Sequence, residues 1–248
     1  MSSGKAASLL ALDTSTERLA VALRHAGRCW TVNEAGGALA SARLLPAIES
    51  LLARGGCELK QLQAIAFGCG PGAFTGLRTS AAVAQGLALG AALPVLAVDS
   101  LMIVAEDARA QLFVDAAVDV AVCMDARMDE VYAGLYHWDG RRWQVTRAPA
   151  LYTLPVLAAQ GWAAQLLCGS ALLAFGPRLG GLAEPTHRVE SEHDRAAALL
   201  RVAEQLWLEG AAVDAALALP LYLRDKVAQT TLERDAVRAA KLQLESMP

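Results

Sequence analysis

The chain carries one pattern twice, and a duplicated strand-turn-strand unit restricts its fold more than any other feature. "ALDTSTERLAVALRHAGRCW", from Ala11, can be laid beside "CMDARMDEVYAGLYHWDGRRW", from Cys123. Asp13 and Asp125 each end an apolar run, Glu17 and Asp129 follow four residues later, and His25 and His137 stand twelve residues after the aspartates. A Gly-Arg pair and a Trp then follow in both copies, with one residue inserted in the second. Repetition of a supersecondary unit implies two similar α/β lobes. Two unrelated hairpins that share ordinary turn residues are the alternative at this stage.

The pattern around the first copy is that of an antiparallel meander. "SLLALD" reads as a strand, residues 13–16 as a turn, and Leu19, Val21 and Leu23 alternate in a second strand before a turn at Gly27 and a third strand. Within 39–54, Leu44, Leu45, Ile48, Leu51 and Leu52 recur at helical spacing, and Gly55-Gly56 lies where a helix would stop. "LQAIAFG", a Gly-rich loop, a helix over 75–91 and "LPVLAV" complete the order βββαβαβ, with right-handed crossovers between parallel strands. The first lobe is expected over 1–104 and the second over 105–248, with a helix over 194–209, capped by Asp194, packing back across the pair. Residues 229–248 read as a terminal helix. No low-complexity linker separates the lobes, so they should sit tightly together.

Composition narrows the class of protein. Hydrophobic residues make up 55% and charged residues 19%, against typical values of about 45–50% and about 25%. That surplus of apolar surface points to a protein partner. A formal charge of −3 gives no broad basic field of the kind a free-standing nucleic-acid binder uses. Five cysteines without a C-x-x-C argue against a disulfide framework or a zinc ribbon and for a reducing compartment. The apolar stretch 81–93 is shorter than a bilayer span and contains Gln85. A soluble, cytoplasmic protein is expected.

"GCGPGAFTGLRTSAAVAQGLALG", residues 68–90, is the candidate for chemistry. Glycines between a strand and a helix permit close backbone approach, and loop amides with a helix N-terminus can receive an anion, so Gly70 and Gly72 are phosphate-site candidates. A tight structural turn explains them equally well. The spacing fits neither a P-loop, because Leu77 follows Gly76, nor a G-x-G-x-x-G fingerprint. Asp13, with Thr14 and Ser15, could hold a metal-bound phosphate or cap its own turn. The histidines (25, 137, 187 and 193) form no H-x-x-x-H or H-E-x-x-H, and no G-x-S-x-G occurs. The helix over 75–91 is nearly free of bulk, with Gly86 and Gly90 four residues apart. Each Gly weakens a helix by about 1 kcal/mol relative to Ala. Close approach of another helix, from a second subunit, would explain that composition.

In order along the chain, "LLALDTSTERLAVAL", "RLLPAIESLL", "AIAFGCGPGAFTGLRTSAAVAQGLALG", "LPVLAVDSL", "MDARMDEVYAGLY" and "PLYLRDKVA" resemble the TsaB (YeaZ) family. The resemblance implies the actin-like ATPase fold, two ribonuclease-H-like lobes with mixed sheets. It implies the non-catalytic partner of TsaD, which transfers a threonylcarbamoyl group to adenosine 37 of tRNAs reading ANN codons. Residues 98–104, "VDSLMIV", carry no imidazole where the catalytic paralogue has a metal-binding H-x-x-x-H. The resemblance further implies a partner surface of Leu44, Leu45, Ile48 and Leu52 on one helix and Arg78, Ala81, Ala84, Gln85 and Ala88 on the other. No catalytic residue, metal or cofactor of its own is expected, apart from room for a nucleotide at the joint with TsaD. Other implied partners are the ATPase TsaE, through the complex, and a second copy when TsaD is absent; tRNA is met only in the complex. Ala40-Ser41 and Cys69 depart from the family's usual His-Ser or His-Thr pair and G-R-G-P-G loop. The alternatives from other classes are an ATP-dependent phosphotransferase of the sugar or acetate kinase type, with Asp13 positioning Mg-ATP, and a glycoprotease-like hydrolase.

Overall fold

The computed structural model describes residues 7–180 and 184–224. The expected terminal helix over 229–248 lies outside them. The first lobe is built from β1 (Leu9–Asp13), β2 (Arg18–His25), β3 (Arg28–Ala35), α1 (Ala40–Gly55), β4 (Ala64–Gly70), α2 (Phe74–Ala91) and β5 (Val95–Asp99). After α3 (Ser100–Gln111), the second lobe comprises β6 (Val118–Asp125), β7 (Glu130–Trp138), β8 (Trp143–Thr153), α4 (Leu154–Ala158), β9 (Leu166–Cys168), α5 (Ala171–Phe175) and β10 (His187–Val189). The described chain then forms α6 (Arg195–Leu208). His187 opens the edge strand β10.

The duplication is real in three dimensions. One sheet has the order β3-β2-β1-β4-β5, and the other, read from its far edge, β8-β7-β6-β9-β10. In both, the first three strands are antiparallel and the next two run parallel to the first. Two mixed sheets of the same topology, with helices on their faces, form the actin-like fold of two ribonuclease-H-like lobes. The first central strand, "LLALD", is buried along its whole length because it is covered on both faces and flanked on both edges.

Layering follows from which faces are apolar. α3 and α6 lie between the sheets, where Leu101, Ile103, Val104, Leu199 and Val202 pack with Leu9, Ala11, Val120 and Leu166. α1 and α2 cover the outer face of the first sheet through Leu44, Ile48, Leu51, Ala81, Ala84 and Ala88. The much shorter α4 and α5 cover the second sheet. The expected boundary at 104 therefore falls inside the buried helix α3. Residues beyond α6 also return to the first lobe, where Val213 pairs with Val95 and the Leu221 amide donates to the Cys69 carbonyl at 2.7 Å. α6, which follows β10 as α3 follows β5, packs on α3 and on β1 of the first sheet.

Candidate functional site

The two aspartates of the repeat make the same local bond. Asp13 Oδ1 accepts from the Ser15 amide at 2.7 Å and Asp125 Oδ1 from the Arg127 amide at 2.8 Å. Each carboxylate thus caps its own turn, as short acidic side chains at strand ends do. Their surroundings differ. Asp125 is partly exposed and meets the exposed Arg127 at 3.2 Å. Asp13 is fully buried, and Oδ2 accepts from both Nε and Nη2 of Arg195, at 2.8 and 2.6 Å.

Arg195 is fully buried as well and pairs on its other side with Glu192. Burial alone would lower the guanidinium pKa, but Asp13 and Glu192 outweigh it and raise the value above its ordinary one. Burial raises the Glu192 carboxyl despite the opposing arginine. The Arg195 Nη2 group also reaches Ser15 Oγ and the Ser100 carbonyl, at 3.3 and 3.5 Å. Sequence reasoning did not single out Arg195. The available signal was a cation in the first turn of a helix, "HDRAAALL", where the helix dipole disfavours it and only a specific anion compensates.

The Gly-rich loop is shaped around the same turn. A Cβ on Gly68 would overlap the Asp13 carboxyl, on Gly72 the Ser15 carbonyl and on Gly76 the Thr14 carbonyl. Thr14 is tied down by its amide to Ser80 Oγ at 2.9 Å and by Oγ1 to the Gly76 carbonyl at 2.8 Å. The Gly70 amide donates to Ser100 Oγ at 3.0 Å. These contacts favour the tight-turn explanation of the glycines. Of the five phosphate-site candidates, Ser15 and Gly72 line the cleft between the lobes, whereas Asp13, Thr14 and Gly70 are behind its wall. Burial, then the negative Asp99 and Asp13, push the Cys69 thiol up to about 12, so this loop presents a neutral thiol.

The cleft has a volume of ≈ 560 Å³, and its walls include Phe74, Asp125, Arg127 and Tyr132. The "LYLR" segment, residues 221–224, also lines it. Tyr222 stacks against Phe74 with ring centroids 5.1 Å apart and accepts from Arg78 Nε at 3.1 Å. Two residues on, Arg224 Nη2 donates to the Ala126 carbonyl at 2.9 Å and to Glu130 Oε2 at 2.6 Å. It thereby holds a turn whose Arg127, Met128 and Asp129 are all left-handed, with φ of 64, 56 and 57°. One segment thus joins the Gly loop and α2 to the second lobe.

The lobes also meet at Asp99. Its carboxylate caps α3 through the Leu101 amide at 2.8 Å and accepts from Tyr136 OH at 2.7 Å. Burial pushes the Asp99 carboxyl up to about 6, against the lowering effect of the Tyr136 bond. The side chains that follow, Leu101, Met102, Ile103 and Val104, are buried between the sheets. The place where the catalytic paralogue is expected to carry its histidine pair is therefore apolar packing, and among the described residues no cluster of three His, Cys, Asp or Glu could hold a metal.

The nine residues expected to form a partner surface divide by burial. Leu44, Ile48, Ala81, Ala84 and Ala88 are at most 5% exposed and belong to the core of their own lobe. A second molecule cannot reach them, because the outer face of the first sheet already takes that stripe. Gln85 is half-buried and donates to the Ala215 carbonyl at 3.2 Å, and Leu52 is half-buried. Leu45 and Arg78 are exposed, as are Ala82, Gly86, Leu89 and Gly90 on α2. No helix of the described chain is long and apolar enough to cross a membrane.

Comparison with known proteins agrees with this architecture. The model of the family described as "TsaD: tRNA N6-adenosine threonylcarbamoyltransferase" matches residues 38–162. The tRNA threonylcarbamoyladenosine biosynthesis protein TsaB of Escherichia coli is 34% identical over 228 residues, covering 89% of this chain and 96% of that protein. TsaB of Haemophilus influenzae is 47% identical over 124 residues, 50% of this chain and 51% of its own length, so that match spans about half of each protein. The solved YeaZ from Pseudomonas aeruginosa superposes with a TM-score of 0.75 at 39% identity, covering 88% of this chain and all of that one. Agreement in sequence over nearly the full length of one relative, and in fold over the whole of another, establishes that the chain belongs to the TsaB (YeaZ) family.

Proposed function

We propose that this protein is the non-catalytic partner of TsaD in threonylcarbamoyladenosine modification of tRNAs reading ANN codons. The observation that carries the partner role is the outward face of α2. A Cβ at Gly86 or Gly90 would meet nothing within 4 Å, so packing within the subunit gives no reason for glycine at either position. Each lowers helix stability by about 1 kcal/mol, and a neighbouring backbone drawn close over the Ala82, Gly86 and Gly90 stripe offsets that cost. Leu89 on the same helix and Leu45 on α1, 61% and 47% exposed, add apolar surface to the outer helices of this lobe. In the absence of TsaD the protein would pair with a second copy; TsaE and tRNA enter through the complex.

The buried Asp13 and the apolar packing after Asp99 support a chain without chemistry of its own. A phosphotransferase would require Asp13 to be free for a metal-bound phosphate, and Arg195 holds it instead. The test is reconstitution from purified components. With tRNA and threonylcarbamoyl-adenylate the chain alone should form no modified adenosine, and adding TsaD and TsaE should bring formation up. Modification by the chain alone, or equal modification by TsaD and TsaE without it, would contradict the proposal.

A further inference from the structure

An actin-like fold implies a metal-bound nucleotide in the cleft between its lobes, and the residues here do not fit one. The acid that would face the metal, Asp13, ends the first central strand, is fully buried and gives one oxygen to two N–H groups of Arg195 and the other to the Ser15 amide. Glu192, the second acid at this place, binds the remaining arm of the guanidinium. Ser15 Oγ and the Ser100 carbonyl, both oxygens of the kind a hard cation prefers, also face Arg195.

We infer that Arg195 is a built-in cation that fills the place of a divalent metal, and that its removal would turn the Asp13–Glu192 pair into a metal site. The guanidinium meets two carboxylates, a hydroxyl and a carbonyl, oxygens of the kinds that a Mg²⁺- or Mn²⁺-type ligand shell uses. It arrives from α6, which follows β10 as α3 follows β5. The second lobe lacks such an arrangement, because Arg127 lies on the same turn as Asp125 and is 73% exposed. The inference holds whichever protein covers α2.

Titration of the full chain with Mn²⁺, followed by electron paramagnetic resonance, tests it. Wild type and Asp13→Asn should give the same signal, with no bound ion distinguishing them. Arg195→Ala should gain one bound Mn²⁺, at least tenfold tighter than any in wild type, and the double variant Asp13→Asn/Arg195→Ala should lose it. Arg195→Gln, closer in size, serves if the alanine variant does not fold. A wild-type Mn²⁺ ion that Asp13→Asn abolishes would overturn the inference, as would a folded Arg195 variant that gains none. If neither variant folds, the comparison of wild type with Asp13→Asn decides.

Discussion

The two lobes share one topology and have been put to different uses. Between its third and fifth strands the first lobe carries helices of 16 and 18 residues; the second has two of 5 residues each. The first therefore has enough helix to bury one face in its own sheet and leave another exposed. In the second, a strand of three residues and two single-turn helices only close the core. The repeat aspartates diverge in parallel. One is sealed in with a buried guanidinium, the other stays at the cleft beside an exposed one. A duplicated scaffold preserves strand order far more strictly than it preserves the surface laid over it.

The largest effect expected from this contrast concerns the two arginines. Arg195→Ala leaves Asp13 buried without its partner and should lower stability by about 3–5 kcal/mol. Arg127→Ala, at the exposed turn of the second lobe, should change it by less than about 0.5 kcal/mol. Urea denaturation of both variants measures the difference, and equal losses would break the comparison.

The joint between the lobes is pH-sensitive through Asp99. Its folded-state value of about 6 lies above the ordinary 3.8, so the folded chain holds this proton more tightly than the unfolded chain. That contribution to stability is complete below pH 3.8 and is lost as pH rises through 6. Asp99→Asn keeps an acceptor for the α3 amides, can donate from its amide nitrogen to the Tyr136 hydroxyl oxygen, and removes the buried charge. It should be more stable than wild type by about 2–3 kcal/mol at pH 8, with the advantage shrinking as pH falls below 6. Thermal melts across that range would sharpen the comparison, and a pH-independent difference would count against it.

A smaller pair of effects separates the inner and outer sides of α2. Gly76→Ala drives a methyl into the Thr14 carbonyl and should cost about 1–3 kcal/mol. Gly86→Ala meets only open space in the lone subunit and should add about 0.5–1 kcal/mol. Melting temperatures that move in opposite directions would support the separation; two losses would undo it.

Much of this was legible in the residues. Alternation through Leu19, Val21 and Leu23 and the Asp13/Asp125 register specified the strands and the duplication, because each periodicity is local. The side of each helix that faces inward was harder to read. Leu44 and Leu45 are neighbours of the same type, yet one is buried and the other 47% exposed, because the position of the sheet decides between them. Alanines were ambiguous for the same reason: Ala84 packs on β4 and Ala82 faces out. Arg195 could not be paired with Asp13 from sequence, since 182 residues separate them and only the return of α6 brings them together. An Ala84→Glu test of the partner surface would consequently unfold the core without reporting on binding.

The most direct measurement is co-elution with TsaD of Leu45→Glu and Gly86→Glu, two outward positions on α1 and α2. Both variants should melt within a few degrees of wild type, since neither side chain enters the core, and both should elute apart from TsaD. Either variant remaining bound to TsaD with wild-type affinity would contradict the assignment of this face as the partner surface.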